Sequence, residues 1–379
     1  MRSIALVALG LVTSPSPKPV SADSFECLLA VSTNLAFTDH WYYTLDDEMR
    51  ITASDEVFRH QYFEVFLFLT GFEVDEDSLA DIRYDLLVSS PDGSVWYEDQ
   101  DIVALEGEAS PDYPQLAANG IQACFEPEDQ FGTYTVRVEV RDTVGDSTTV
   151  LEETVELVEF ELGPSFEDRD EYRAWQYDPA LHESPERAVH GLLEFGGADG
   201  MDPGFFREMF ESNTWLLESL LAELPDQDAA TRARVFDVLS RCPSFQIELG
   251  ENFSSSDKEV WSELREQVYD PLELPIRGRE DLNELWGMFV AGRRIAPLYR
   301  LCLALAPDET GVVADTTVYS EKHDIDVPMS RVVPKYVRLM FERDLAYSES
   351  LTHAYLEGLV ESGNLPDKAL AELNALLTE

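Results

Sequence analysis

The sequence is short of lysine and heavily unbalanced in charge. Only five of its 379 residues are lysines, whereas 75 are aspartates or glutamates, and the formal net charge is −48. The acidic residues are spread along the chain rather than gathered in a tail. A surface of this charge repels nucleic acids and anionic membranes. The composition therefore excludes a nucleic-acid-binding protein.

The common catalytic motifs are also missing. The sequence has no GxSxG nucleophile elbow, no HExxH zinc motif, no phosphate-binding Walker loop, no GxGxxG and no CxxC. Their absence favours a non-catalytic protein over an enzyme. A site assembled from residues far apart in the sequence would leave no such motif, so an enzyme stays open.

Long apolar runs are absent too, and no segment is predicted to span a membrane. The longest apolar stretch near the start is residues 4–12, less than half of the roughly 20 residues that a spanning helix needs. It follows Arg2 and precedes the small residues Val20, Ser21 and Ala22, a pattern typical of a signal peptide and its cleavage site. We expect residues 1–22 to be a signal peptide and the protein to be exported, to a periplasm or to the extracellular space.

Cysteine is scarce, with two residues in each half of the chain. In an exported protein, Cys27 could pair with Cys124 and Cys242 with Cys302. Buried free thiols are the alternative, because four cysteines are too few for a disulfide scaffold in a chain of this length.

What the first half does contain is period-two alternation, the pattern of half-buried strands. In residues 133–142, Tyr134, Val136 and Val138 share one face, and Arg137 and Glu139 share the other. Strands are also predicted within residues 62–69, 82–88, 94–98 and 147–162, with turn residues between them. Several such strands predict an antiparallel sandwich.

A resemblance supports the same fold. Residues 125–142 (FEPEDQFGTYTVRVEVRD) resemble the closing strands of Ig-like modules of bacterial exported proteins. The resemblance covers about the last third of the predicted domain. It implies an Ig-like β-sandwich and no particular activity.

The pattern changes to a helical period after residues 163–165. Apolar stripes such as Leu282, Leu285, Trp286 and Phe289 predict short helices joined by short loops. Residues 281–305 (DLNELWGMFVAGRRIAPLYRLCLAL) are similar to helical domains of uncharacterised exported bacterial proteins, a similarity that implies no activity. The predicted architecture is therefore an all-β antiparallel sandwich (residues 23–162), a linker (163–165) and an all-α bundle or short solenoid of helical hairpins (166–379).

Two acidic loops are candidate calcium sites, since Ca²⁺ takes six to eight oxygen ligands. One loop contributes Asp75, Asp77 and Asp81, and the other contributes Glu126, Glu128 and Asp129. Chance clustering among so many acidic residues is the alternative. Calcium is the one cofactor that the sequence suggests.

Two functions from different classes remain, and a calcium-stabilised adhesion module is a third alternative. The first is a non-catalytic exported interaction protein, whose helical surface binds a protein partner. The second is an extracytoplasmic hydrolase, with the β-sandwich as an accessory module and carboxylate catalysts in the helical domain. Converging carboxylates in a cleft of the helical domain would favour the second. The sequence leaves the oligomeric state open.

Overall fold

The structure is a computed structural model. In it, the chain forms two compact units. The first unit comprises Met1–Leu35 and Asp47–Glu161, and the second comprises Ala36–Asp46 and Leu162–Glu379. The residues described are 2–4, 25–35, 37–43, 51–111, 113–118, 120–178, 181, 184–196, 202–242, 244–245, 247–266, 270–320, 325–346 and 351–378. The predicted signal peptide lies outside the described residues except for residues 2–4.

The first unit is built from strands. They are β1 (Arg2–Ile4), β2 (Glu26–Ser32), β3 (Ile51–Ala53), β4 (Glu56–Val57), β5 (Tyr62–Thr70), β6 (Leu79–Ser89), β7 (Val95–Glu108), β8 (Gln115–Leu116), β9 (Ile121–Cys124), β10 (Gly132–Asp142) and β11 (Ser147–Leu157). One sheet has the order β4-β11-β10-β6-β7. In another sheet, β5 pairs with β2, β8 and β9. Strands β1 and β3 form a separate two-stranded sheet.

The period-two pattern places the core of this unit. Residues of β6 and β10 alternate between buried and half-buried, as the sequence predicts. Ile82 and Val88 of β6 join Val136 and Val140 of β10 in one hydrophobic core, which also takes residues from β2 and β5. The opposite face of these two strands carries charged side chains.

The predicted all-antiparallel, Ig-like sandwich is wrong. The five-stranded sheet is mixed, because β4 runs parallel to β11, with Glu56 opposite Glu156 and Val57 opposite Leu157. A strand of two residues is too short to show a period, so the sequence carried no signal for this pairing.

The second unit is mainly helical. Its helices are α1 (Phe37–Tyr43), α2 (Arg169–Gln176), α3 (Arg187–His190), α4 (Asp202–Ser212), α5 (Leu216–Glu223), α6 (Ala229–Ser240), α7 (Ser255–Arg265), α8 (Arg279–Gly292), α9 (Ile295–Leu303), α10 (Pro307–Thr310), α11 (Met329–Leu345), α12 (Leu351–Ser362) and α13 (Asp367–Thr378). A π-helical turn, Gly191–Phe195, continues α3. No helix among the described residues is long and apolar enough to cross a bilayer.

An all-α second domain is also wrong. An antiparallel hairpin of β12 (Thr317–Ser320) and β13 (Ile325–Pro328) precedes α11. Helix α1 belongs to this unit although the sequence analysis placed it in the first domain. Both features are short segments inside longer stretches of another period, which explains why the pattern did not indicate them.

Helices α4 and α8 pack unusually closely. A methyl group added at Gly204 would lie 1.9 Å from the carbonyl oxygen of Glu284, and one at Gly292 would lie 2.6 Å from the Glu208 side chain. Larger residues at these two positions would separate the helices. The glycines therefore bring the polar residues of α4 against those of α8.

Candidate functional site

The first predicted calcium loop uses its carboxylates to shape the turn. Asp75 Oδ1 accepts hydrogen bonds from the backbone N–H groups of Asp77 and Leu79, both at 2.9 Å. Asp81 pairs with Arg83 at 3.1 Å, and Asp77 is exposed. The structure therefore gives two of these three side chains partners within the protein.

The second loop behaves similarly. Asp129 accepts from the Trp96 indole N–H at 2.9 Å and from the Glu126 backbone N–H at 2.7 Å. Glu126 lies 3.9 Å from the His60 ring, and Glu128 is exposed. Within the described residues, no group of three or more His, Cys, Asp or Glu side chains converges to hold a metal ion. Calcium binding stays a prediction without a geometric site.

The cysteines are free thiols. In the strand register, Cys27 of β2 lies opposite Leu69, near one end of β5. Cys124 of β9 lies opposite Tyr62, at the other end of β5. The register thus keeps this pair apart. Burial, with a smaller contribution from Asp142, raises the pKa of Cys27 to about 12. Cys242 and Cys302 are fully buried, and burial raises the pKa of each thiol.

The contact between α4 and α8 holds the main concentration of buried charge. We call it the arginine–carboxylate cluster and define it as Arg207, Glu208, Glu211, Asp237, Arg241, Asp270, Glu284 and Arg294. Arg207 lies at its centre: Nε is 3.8 Å from Glu211 Oε2, Nη2 is 3.4 Å from Asp270 Oδ2, and Nη1 is 3.6 Å from Glu284 Oε1. Carboxylates from two helices and the loop before α8 thus converge on one guanidinium.

The helical geometry explains why these residues meet. Arg207 and Glu211 are four residues apart, so they share one face of α4. The Arg241 side chain, just after α6, donates from Nη1 to Glu284 Oε2 at 2.6 Å and also pairs with Asp237. Arg294, just after α8, pairs with Glu208 at 3.3 Å. Three helices and their ends therefore build the cluster.

The cluster has a buried interior and a partly exposed rim. The side chains of Arg207 and Glu284 are 3% and 4% exposed, whereas those of Glu211 and Asp270 are 20% and 30% exposed. Ser244 donates a hydrogen bond to Glu211 at this rim. A molecule in solution can thus approach Glu211 and Asp270 but not the interior pair directly.

Charge is not balanced within the cluster. Five carboxylates face three arginines, an excess of two negative charges if all are ionised. Burial raises the pKa of Glu284 and of Glu211, although Arg207 opposes the shift at both. Burial lowers the pKa of Arg207, but Asp270, Glu211 and Glu284 more than compensate and raise it. Glu211 and Glu284 therefore hold a proton more tightly than water-exposed glutamates do.

Two ion pairs of Arg207 are too long to be hydrogen bonds: the pair with Glu211, at 3.8 Å, and the pair with Glu284, at 3.6 Å. Among the described residues, Glu284 Oε1 and the Nε and Nη1 atoms of Arg207 are buried without a hydrogen-bond partner. Most buried polar atoms in folded proteins have one. Together with Arg241 Nε, which also lacks a partner among the described residues, they are the atoms of the cluster that a polar ligand would satisfy.

A second polar group lies near the start of this unit. Ser165 Oγ donates to Glu194 at 2.5 Å, and Glu194 is 3.6 Å from His190 Nδ1. His190 Nε2 is bonded to the Gly163 carbonyl. Because the serine contacts the carboxylate and not the imidazole, this arrangement does not activate a serine nucleophile.

The sequence analysis missed the cluster. A signal was present: Arg207 and Glu208 stand between Phe205, Phe206, Met209 and Phe210, and Glu284 stands in the apolar stripe of α8. Charged residues inside an apolar run are buried only when they are paired. Which residues supply the partners depends on the fold and could not be inferred from the sequence.

Comparison with known proteins gives no assignment. No protein-family model and no curated protein sequence matches the chain. One similar solved structure is a family 123 glycoside hydrolase from Clostridium perfringens, from work on glycolipid glycan hydrolysis. It is 8% identical with a TM-score of 0.25, and the match covers 93% of this chain and 62% of that chain. Another is a family 76 glycoside hydrolase from a bovine Bacteroides thetaiotaomicron strain, with 11% identity and a TM-score of 0.17 over 85% and 97%.

The chain therefore spans less than two thirds of the Clostridium perfringens structure. TM-scores this low establish neither a shared fold nor a shared activity.

Proposed function

We propose that the second unit is a hydrolase whose acid–base groups belong to the arginine–carboxylate cluster. The observation that carries the proposal is the convergence of Glu211, Asp270 and Glu284 on Arg207, where several buried polar atoms have no hydrogen-bond partner among the residues that the structure describes. Carboxyls with shifted pKa values around a fixed cation are a common arrangement for general acid–base catalysis.

Glu211 is the general acid in this proposal. Its side chain reaches the rim, and its pKa is raised mainly by burial, so it keeps a proton at a higher pH than an exposed glutamate does. Asp270 is the general base. Its carboxylate is 30% exposed at the rim and lies 3.4 Å from Arg207 Nη2, whereas Glu284 is 4% exposed and holds Arg207 and Arg241 from the interior side.

Arg207 has an electrostatic role. It lies against all three carboxylates and is nearly inaccessible to water. In such surroundings its charge interacts more strongly with neighbouring groups than it would in water. It would therefore stabilise negative charge that develops on a substrate bound beside Glu211 and Asp270.

The test is a screen of the purified full-length chain against chromogenic 4-nitrophenyl glycosides, esters and phosphates. For a substrate that is hydrolysed, Glu211→Gln and Asp270→Asn should each lower kcat by about 100-fold or more, the usual contribution of one acid or base. Glu218→Gln, on the exposed side of α5, is the matched control and should leave kcat unchanged.

Absence of hydrolysis across the three classes would contradict the proposal, as would full activity in both variants. The first hypothesis from the sequence, a non-catalytic interaction protein, predicts no hydrolysis of any of the three substrate classes. In such a protein the cluster would only stabilise the contact between α4 and α8.

A further inference from the structure

Helix α11 carries positive charge on the face that it exposes to solvent. Arg331, Lys335, Leu339 and Arg343 follow one another at intervals of four residues, so they form one row along the helix. All four side chains are exposed, and Leu339 is 59% exposed. Tyr336, which is also exposed, lies beside this row. We call these five residues the basic face.

The cations of the basic face have no carboxylate partner among the residues that the structure describes. No ion pair there joins Arg331, Lys335 or Arg343 to an aspartate or glutamate, whereas Arg338 of the same helix pairs with Glu372 at 2.8 Å. The chain has 75 acidic and 27 basic side chains, so nearly three carboxylates are available for each cation. A shortage of acidic residues therefore does not explain the missing pairs.

A neighbouring helix adds a fourth cation. Arg279, exposed at the start of α8, places its guanidinium 5.8 Å from the centre of the Tyr336 ring, within the range of a cation–π contact. Two exposed carboxylates belong to the same stretches of chain: Glu280 follows Arg279, and Glu342 lies on α11. Four cations thus stand against two carboxylates, an excess of two positive charges on a chain whose net charge is −48.

The basic face also offers apolar contact. Leu339 stands in the row between Lys335 and Arg343, and Tyr336 lies next to them. Arginine and tyrosine are enriched where proteins bind other proteins. The combination fits a partner that presents carboxylates together with an apolar side chain.

The charge on the rest of the chain limits what can bind here. A nucleic acid or an anionic membrane is negative over a wide area and would also meet the acidic surface around the basic face. A second copy of the chain brings another 48 negative charges and is repelled in the same way. A short acidic segment touches the basic face alone, and charges farther than about 8–10 Å away are largely screened at physiological ionic strength.

We propose that the basic face of α11 is a docking surface for an acidic helix of a partner protein. In such a helix, carboxylate side chains four residues apart follow one another at about 6 Å, the interval that also separates Arg331 from Lys335. An apolar side chain of the partner packs on Leu339 and Tyr336. The surface goes beyond the proposed hydrolase and does not depend on it.

The test is fluorescence anisotropy with the full-length protein and a labelled, Ala-based helical peptide about four turns long. The peptide carries Glu and Leu along one face at four-residue spacing, and its control has Gln in place of each Glu. We expect the Glu peptide to bind about 10-fold more tightly than the Gln peptide, with the difference shrinking toward about 1 M salt. Equal binding of the two peptides would overturn the proposal.

Variants locate the binding surface. Arg331→Glu combined with Lys335→Glu should weaken binding of the Glu peptide by about 10-fold or more, because it replaces attraction with repulsion. Leu339→Ala should weaken it by about fivefold through lost apolar contact. All three side chains are exposed, so the thermal melting temperature should stay the same.

Lys258→Glu is the matched control for charge. Lys258 is exposed on α7 and has no ion pair among the described residues, so the substitution makes the same change of charge at another place. It should leave the affinity for the Glu peptide within about twofold. A loss per charge as large as that of the α11 variant would mean that net charge alone governs binding, and would overturn the proposal.

Two further measurements address the other occupants. If dextran sulfate or phosphatidylserine vesicles bind as tightly as the Glu peptide and Leu339→Ala has no effect, the surface recognises polyanions and the protein-partner proposal fails. If sedimentation shows self-association that the double α11 variant abolishes, the occupant is a second copy and the proposal fails as well. A monomer that prefers the Glu peptide to both polyanions supports it.

Discussion

The protein holds charged networks in two very different surroundings. On the outer face of the five-stranded sheet, Arg83, Arg137 and Arg141 pair with carboxylates of neighbouring strands, and these arginine side chains are 29–40% exposed. In the arginine–carboxylate cluster the central residues Arg207 and Glu284 are buried. Similar residue types thus face water in one region and protein in the other.

The two regions differ in how their carboxyls bind protons. A hydrogen bond from Arg141, together with the backbone N–H of Asp101, lowers the pKa of Asp85. Burial raises the pKa of Glu284 despite two arginines beside it. Pairing dominates where water remains, and desolvation dominates where it is removed. The location of a carboxylate therefore decides whether it resists protonation or favours it.

The largest expected effect comes from breaking the buried network. Glu284→Ala leaves Arg207 and Arg241 in the interior without this partner, and should lower the free energy of unfolding by about 3–5 kcal/mol. Asp85→Ala on the sheet should lower it by about 1 kcal/mol or less, because water screens the remaining arginine. Urea unfolding of both variants measures the difference. Equal losses would contradict the distinction between the regions.

The glycine contact beneath the cluster should be nearly as sensitive. Gly204→Ala places a methyl group against the α8 backbone at Glu284, and should cost about 3 kcal/mol because neither helix can yield locally. Gly163→Ala is the matched control: its methyl group would meet only Glu186, at an ordinary 3.7 Å. Thermal melts of both variants give the comparison. A tolerated Gly204→Ala would show that α4 and α8 are not held this closely.

The pH dependence of stability should have opposite signs in the two regions. The pKa of Glu211 is higher in the folded protein than in the unfolded chain. The stabilisation that this carboxyl gives to the folded state is therefore fully present below its unfolded-state pKa of about 4.3. It is lost as pH rises through the folded-state pKa. Asp85 has a lowered folded pKa, so its contribution is present above about 3.9 and is lost as pH falls through the folded pKa.

Unfolding free energies of two variants across pH test this. Glu211→Gln should flatten the part of the curve just above the unfolded glutamate pKa of about 4.3. Asp85→Asn should change the curve mainly below about pH 4. A Glu211→Gln curve parallel to that of the unmodified protein would refute the assignment to Glu211.

Salt should produce the smallest difference. The coupling between Asp85 and Arg141, measured by a double-mutant cycle, should be about 0.5 kcal/mol at 0.01 M ionic strength and near zero at about 1 M. The coupling between Glu284 and Arg207 should change little, because buried charges are screened less. A salt-sensitive Glu284–Arg207 coupling would mean that solvent reaches the interior of the cluster.

The sequence predicted individual elements of the first unit better than its topology. The alternation in β10 and β6 is long enough to identify each strand and its buried face. Strand β4 has two residues, so its parallel pairing with β11 left no periodic signal, and the all-antiparallel prediction failed there. Long elements carry a period, whereas short ones are set by their neighbours.

The candidate site was less predictable than the fold. The calcium hypothesis followed acidic residues that are adjacent in sequence, and the structure uses Asp75 and Asp129 to hold turns. The cluster instead joins Arg207, Asp270 and Glu284, which are separated by up to 77 positions. Sequence proximity shows which residues share a loop, but only packing decides which carboxylates lose their water.

The most direct test of the account is a pH titration of individual side-chain carboxyls by ¹³C NMR in the full-length protein. The account predicts that Glu211 and Glu284 titrate above the ordinary glutamate value of about 4.3, and that Asp85 titrates below about 3.9. Assignment by Glu211→Gln, Glu284→Gln and Asp85→Asn identifies each resonance. Titration of Glu211 and Glu284 at or below 4.3 would contradict the central claim that burial prepares this cluster for acid–base chemistry.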